Sequence, residues 1–282
     1  MTSQKMDQRR WEDLDVDCLL IVLGKVGMES LLLGVPFVCK SWYKASLDPS
    51  FWQCLILPDF HDGFMVARFS YFAKNQFWIA TPFYRKFIRQ YRMSKYRFSM
   101  TGFVKLVVSR SCGNATSLSL PECSNRLLRL VANTCPSLKA LTLPRNFVLR
   151  ESSIIMELTE KLKHLESLSL GNDIDITEIL SQISLHCKNF RRLDVFRASL
   201  CKDKALSIVK FVPNIEYLSL RRAIIRRCDL ITILQGCREL VFLDVSGTGF
   251  DEGDHEISMF ASHISNFRCK GLMHDKICGV KN

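Results

Sequence analysis

The sequence predicts an α/β protein: a small N-terminal helical unit, then a short solenoid with parallel strands on its concave face and helices on its convex face. Three observations predict it. The pattern L-x-x-L-x-L recurs six times between residues 115 and 245. Helix-periodic apolar segments fill the intervals between copies. Residues 11–57 lack the pattern and space their apolar residues as short helices do. The organisation expected is therefore a helical unit over 11–57, a basic aromatic connector over 58–102, about six repeats over 103–270 and a tail over 271–282.

In the N-terminal unit, Cys18, Leu19, Val22, Leu23 and Val26 follow helical spacing, with Gly27 as a stop. Pro36 suits the first turn of a further helix carrying Phe37, Val38, Trp42 and Tyr43. "LDPSFW" (47–52) is a turn that sets Phe51 and Trp52 against the bundle. A three-helix unit of this size buries too little of the apolar surface it offers, so a partner surface is expected.

The connector carries most of the excess charge. The chain has a net charge of +11, and the span from Gly63 to Pro121 holds ten Lys/Arg and no Asp or Glu. In "RFSYFAKNQFWIATPFYRKFIRQYRMSKYRF" (68–98) aromatic residues alternate with basic ones, the combination that holds single-stranded nucleic acid. Residues 82–93 also read as an amphipathic helix. Tyr84, Phe87, Ile88 and Tyr91 lie on one side, and Arg85, Lys86, Arg89 and Arg92 largely on the other. The favoured expectation is that the aromatic side packs between the helical unit and the first repeat while the cations stay in water. The alternative is a scaffold that binds nucleic acid or a polyphosphate through residues 63–110.

The repeat blocks are "ATSLSL" (115–120), "LKALTL" (138–143), "LESLSL" (165–170), "FRRLDV" (190–195), "IEYLSL" (215–220) and "LVFLDV" (240–245). Their last residues are 23, 27, 25, 25 and 25 apart, a regularity that chance does not supply. Helical segments at 127–131, 154–162, 176–185, 205–212 and 230–234 alternate with them, so each unit is a strand, a turn and a helix. Three residues before each block sits Cys112, Cys135, Leu162, Cys187, Val212 or Cys237. A slot that takes Leu or Val as readily as Cys demands packing, and these cysteines are expected to be buried thiols without metal. No C-x-x-C pair or histidine spacing argues for zinc among the twelve cysteines.

These blocks and their cysteine slot resemble the cysteine-containing leucine-rich repeat (LRR), in which strand leucines and helix faces stack into a continuous core. The position three past each strand, where many such repeats keep Asn, holds Cys123, Asn146, Asp173, Ala198, Ala223 and Thr248, so an asparagine ladder is mostly missing. The N-terminal unit resembles an F-box: Leu14 leads, the helix follows, then come "VCKSW" (38–42) and "DPSFW" (48–52). Asp15 stands where the family usually has Pro, which is expected to loosen the leading turn. The order of these parts is similar to plant F-box/leucine-rich-repeat proteins. The resemblance implies a non-catalytic, substrate-recognition subunit of an SCF-type cullin–RING ubiquitin ligase. A Skp-family adaptor would dock on Leu14, Leu19, Val22, Leu23, Val26, Val38, Trp42 and Trp52, and the concave face would hold an unidentified protein substrate. It further implies location in the nucleus and/or cytoplasm.

Strand alternation selects the residues of the concave face. Early repeats offer Ser117, Ser119, Ala140, Thr142, Ser167 and Ser169, all small. Later ones offer Arg192, Asp194, Phe196, Tyr217, Arg221, Phe242 and Asp244, and aromatic and Arg residues are the usual anchors of interfaces. The late repeats are therefore the expected substrate surface. No phosphate loop, dinucleotide fingerprint, zincin motif or nucleophile elbow is present, and "DEGDHE" (251–256) reads as a solvated loop. No enzyme activity, metal, cofactor or nucleic-acid partner is expected. No apolar run reaches membrane-spanning length, and no secretory signal is expected at the N-terminus.

Overall fold

The chain divides into two units, Met1–Ala115 and Thr116–Asn282. The structure, a computed structural model, describes residues 11, 14–58, 81–94, 96–122, 124–145, 153–171, 175–250 and 253–270.

In the first unit, α1 (Val16–Leu23) starts where the Asp15 carboxylate accepts the Asp17 N–H at 2.9 Å. Asp15 has φ −54°, close to the angle a proline imposes, so the side-chain cap holds the leading turn that its replacement of proline was expected to loosen. The helix ends at Gly24, three residues before the expected stop, and Gly27 instead precedes α2 (Met28–Leu33). The single helix expected after Pro36 is two pieces, a 3-10 turn at Val35–Phe37 and α3 (Lys40–Ala45), separated by an extended Cys39. Proline tightens the first turn and offers no N–H to carry it onward. Asp48 then caps a second 3-10 turn, Pro49–Trp52, which drives Trp52 into the interior. There its indole N–H donates to the Ser46 carbonyl at 2.9 Å, and the Arg110 guanidinium lies 4.7 Å from the ring.

After the short strand β1 (Cys54–Ile56) come α4 (Pro82–Gln90) and α5 (Met100–Arg110). Phe83, Tyr84 and Phe87 of α4 surround Phe103 of α5 at centroid distances of 5.9, 5.4 and 4.9 Å. The Tyr91 hydroxyl donates to the Leu32 carbonyl at 3.0 Å and Lys86 meets Glu29 at 2.9 Å, tying α4 to α2.

The second unit alternates strands and helices: β2 (Ser117–Ser119), α6 (Asn125–Thr134), β3 (Ala140–Thr142), α7 (Ser153–Lys161), β4 (Ser167–Leu170), α8 (Ile176–His186) and β5 (Arg192–Val195). It continues through β6 (Ser199–Leu200), α9 (Lys202–Phe211), β7 (Tyr217–Ser219), β8 (Ile224–Ile225), α10 (Arg227–Gly236), β9 (Phe242–Asp244), α11 (His255–Phe260) and β10 (Asn266–Arg268). Strands β2-β3-β4-β5-β7-β9-β10 form one parallel sheet in consecutive register, and β6 pairs with β8 apart from it. Register sets Leu118, Leu141, Leu168, Leu193, Leu218 and Leu243 in one row, all buried. Strand β10 extends the sheet without the leucine pattern that identifies the other six strands.

The slot before each block is the residue where the chain leaves its helix. Cys135, Leu162, Cys187, Val212 and Cys237 are buried, and each donates its N–H to the carbonyl four residues back at 2.8–3.0 Å. Cys112 is a correction. It lies in the first unit, exposed, at φ 50° in the turn after α5, so no layer closes over it. Ala198 and Ala223 are buried and the Thr248 hydroxyl donates to the Val245 carbonyl, whereas Cys123, Asn146 and Asp173 lie outside the described residues.

Candidate functional site

Two surfaces matter, one in each unit. Helix α1 carries apolar residues on its outer as well as its inner side, with Asp17 its one charged residue, as suits a helix covered from two directions. Leu19 and Leu23 are 1% exposed and Trp52 0%, so these three expected contact residues form the interior that holds the unit together; a side chain already buried in its own chain has nothing left to offer a partner. Val22 and Val38 are exposed, while Leu14, Val26 and Trp42 are half-buried, with the Trp42 indole donating to the Trp11 carbonyl at 3.2 Å. The apolar side chains left in water also include Val16 and Ile21, which the helical spacing did not select, and Phe37 and Tyr43, which it placed on the helix after Pro36 but not among the adaptor contacts. Ile21 is 68% exposed, the highest of any described aliphatic side chain on α1.

On the second unit, the sheet face opposite the leucine row is open. Its early strands carry small side chains, with Thr142 exposed and Ser117, Ser119, Ala140, Ser167 and Ser169 half-exposed. The later strands build an ordered stack. Register places Arg192, Tyr217 and Phe242 side by side on β5, β7 and β9. The Arg192 guanidinium lies 4.7 Å from the Tyr217 ring, Tyr217 stacks on Phe242 at 4.2 Å and 6°, and Arg268 of β10 lies 5.2 Å from Phe242. Beyond the strand ends, Phe196 has the guanidiniums of Arg145 and Arg197 at 4.3 and 5.4 Å. Gly171 makes the Arg145 position available: a Cβ there would sit 1.9 Å from the Arg145 carbonyl oxygen. Arg145, Arg197 and Arg268 fall outside the alternating pattern, because two sit in turns and the third on the strand without a leucine block.

The two acids of this face are already engaged. Asp194 meets the Arg221 guanidinium at 3.5 Å and the Ser169 hydroxyl at 3.3 Å through Oδ2. Its Oδ1 and the nearby Ser219 hydroxyl are buried without a hydrogen-bond partner among the described residues. Asp244, expected on the substrate surface, is buried and turned to its own loop, where Oδ1 accepts the Ser246 N–H at 2.9 Å.

Of the connector, residues 59–80 lie outside the described residues. In α4 the aromatic residues Phe83, Tyr84 and Phe87 are buried while Arg85 and Arg89 are exposed; past its end Arg92 and Tyr96 are exposed and Tyr91 is half-buried. Of "DEGDHE", Asp254 caps α11 by accepting the Ile257 N–H, and Arg227 meets Asp254 and Glu256 at 2.6 and 3.1 Å; Asp251 and Glu252 lie outside the described residues. Among the described residues no three His, Cys, Asp or Glu side chains group as metal ligands, and no helix is long and apolar enough to cross a membrane. Burial pushes the Cys187 thiol up to about 11 and the Cys237 thiol up to about 12, the opposite of an activated nucleophile.

Comparison with known proteins sets these surfaces in context. Residues 11–54 match the F-box domain family. The chain is similar to an F-box/LRR-repeat protein of Arabidopsis thaliana, 28% identical over 247 residues that cover 84% of this chain and 72% of that one. The F-box protein FBW2 of Arabidopsis thaliana is 25% identical, covering 85% and 68%. The F-box protein SKIP1, also of Arabidopsis thaliana, is 22% identical, covering 86% and 80%.

Proposed function

We propose that the chain, whose residues 11–54 match the F-box domain and which is similar to F-box/LRR-repeat proteins of Arabidopsis thaliana, is the substrate-recognition subunit of an SCF-type cullin–RING ubiquitin ligase. The observation that carries the reading is the division between two partner surfaces. One is a small helical unit whose α1 is apolar on the outside as well as the inside; the other is a repeat sheet with an open, anchored face. The first takes a Skp-family adaptor, on Val16, Ile21, Val22 and Val38 together with the partly exposed Leu14, Val26 and Trp42. The second takes a protein substrate on its late strands. The chain contributes no catalytic group; it acts by holding a substrate lysine near the transfer machinery, converting an encounter into an effectively intramolecular step. Such a subunit works where its ligase partners are, in the nucleus and/or cytoplasm.

The test is affinity capture of the tagged 282-residue chain from plant cells with cullin and proteasome activity blocked. The adaptor and a cullin should be recovered in near-stoichiometric amounts. Recovery of neither, from a chain that is folded by circular dichroism, would overturn the reading.

A further inference from the structure

We propose that the open face of the late strands binds an acidic segment of the substrate in extended form. This inference rests on the substrate-recognition reading above and names the class of segment that the surface takes.

The argument starts from charge. Arg145, Arg192, Arg197, Arg221 and Arg268 are fixed on this face by ring contacts or an ion pair. Against these five, the described residues of this face offer two carboxylates, of which Asp244 is buried on its own loop and Asp194 already receives Arg221. The neighbouring sheet edge is different. There Lys139 meets Glu166 at 2.9 Å and Arg191 meets Glu216 at 3.3 Å, each cation with its own acid. Among the described residues, Arg145, Arg192, Arg197 and Arg268 have no carboxylate partner. The open face, among the described residues, therefore carries more cations than carboxylates, whereas the edge beside it is balanced.

The stacking makes those cations suitable for carboxylates. A guanidinium lying over a ring uses its face and keeps its in-plane N–H donors free, in the fork that a carboxylate accepts. The stack also holds each group still before a ligand arrives, which lowers the ordering cost of binding. It argues against nucleic acid as the occupant. Tyr217 has Arg192 on one side and Phe242 on the other, and Phe242 has Tyr217 and Arg268, so neither ring has a face left for a base. The stack crosses four strands, about 15 Å, which about five extended residues span.

Backbone geometry supplies an independent observation. Arg197, Arg222 and Gly247 occupy equivalent turn positions with φ of 57°, 56° and 75°, and their N–H groups donate to the carbonyls of Arg221, Ser246 and Lys270. The left-handed region suits glycine, as at Gly247, and disfavours arginine. Two arginines kept in that conformation beside a cationic face point to a use for their side chains.

The experiment uses the full chain bound to its adaptor and a fluorescent peptide of about ten residues, long enough to cross the stack, in which Asp and Glu alternate with Ser and Gly. The isosteric Asn/Gln peptide, an oligouridylate and inorganic tripolyphosphate are the comparison probes. The acidic peptide should bind at least about tenfold tighter than its amide counterpart, and Arg192→Gln, Arg197→Gln or Arg268→Gln should each weaken it about tenfold. Arg197→Gly should weaken it equally while leaving a more heat-stable protein, which separates lost binding from lost folding. Equal affinity for the two peptides, no detectable peptide binding, or preferential binding of the oligouridylate or tripolyphosphate would each overturn the inference. Adaptor retained without peptide discrimination overturns the inference alone, whereas a folded chain that never binds adaptor overturns the ligase reading.

Discussion

Replacing Arg197 and Arg222 by glycine should stabilise the protein, although it removes two side chains and adds backbone freedom. Both residues sit at φ near 57° in turns that follow β5 and β7. An L-residue pays about 1–2 kcal/mol for the left-handed region. Glycine escapes that strain but loses about 0.5–1 kcal/mol in conformational entropy on folding. The difference is a net gain of about 0.5–1 kcal/mol per site. At about 2–4 °C per kcal/mol for a domain of this size, the double variant should melt about 2–8 °C higher. The assay is thermal unfolding followed by circular dichroism at one fixed salt concentration, since the substitutions also change surface charge. Two controls fix the cause. Arg197→Lys keeps the strain and should leave the midpoint unchanged. Gly247→Arg imposes the strain at φ 75° and should lower it. If Arg197→Gly and Arg197→Lys move the midpoint alike, the effect is one of side-chain chemistry and the backbone argument fails.

Gly236→Ala should cost about 1–3 kcal/mol, because its Cβ would lie 2.3 Å from Cγ1 of Val209, a β-branched side chain that helix α9 holds in one rotamer; a Val209→Ala background should recover much of the loss in chemical denaturation. Cys187 and Cys237 should resist a thiol reagent until the chain unfolds, whereas the exposed Cys18, Cys54, Cys112, Cys201 and Cys228 should react in the native state. Their raised pKa values also set a pH dependence. A thiol that ionises at 9.0 when unfolded and at about 11 or 12 when folded contributes stability that is whole below pH 9. That contribution is lost as the pH rises through 11 to 12, so urea midpoints should fall across this window and Cys237→Val should flatten the slope.

The repeat strands were legible because burial acts on them one residue at a time: each L-x-L writes one face into the core, and the row from Leu118 to Leu243 follows from that alone. Helix positions were legible for the same reason, with ends displaced by caps such as Ser124 and Asp175, whose hydrogen bonds leave no periodic signal. The first unit was harder. Apolar spacing on α1 marks Leu19 and Leu23, but which apolar stripe stays outside depends on packing, so Ile21 and Val16 went unselected beside them. Strand β10 has no leucine block, and with it Arg268 was missed. Tyr217 and Phe242 were visible as outward residues; that Arg192 and Arg268 close the two ends of their stack depends on strand register and on turns that sequence spacing does not encode.

The central claim is that the helical unit docks a Skp-family adaptor through its exposed apolar side chains while the buried ones hold the fold. Isothermal titration of the adaptor into the chain, with Ile21→Asp and Val38→Asp each measured against wild type, tests it most directly. Ile21 is 68% exposed and Val38 55%, so covering either is worth about 1–2 kcal/mol, and an aspartate in its place adds an unpaired buried charge. The account predicts that each variant stays folded, with an unchanged melting midpoint, and binds the adaptor at least about tenfold more weakly. Wild-type affinity in both variants would place the adaptor elsewhere and contradict it.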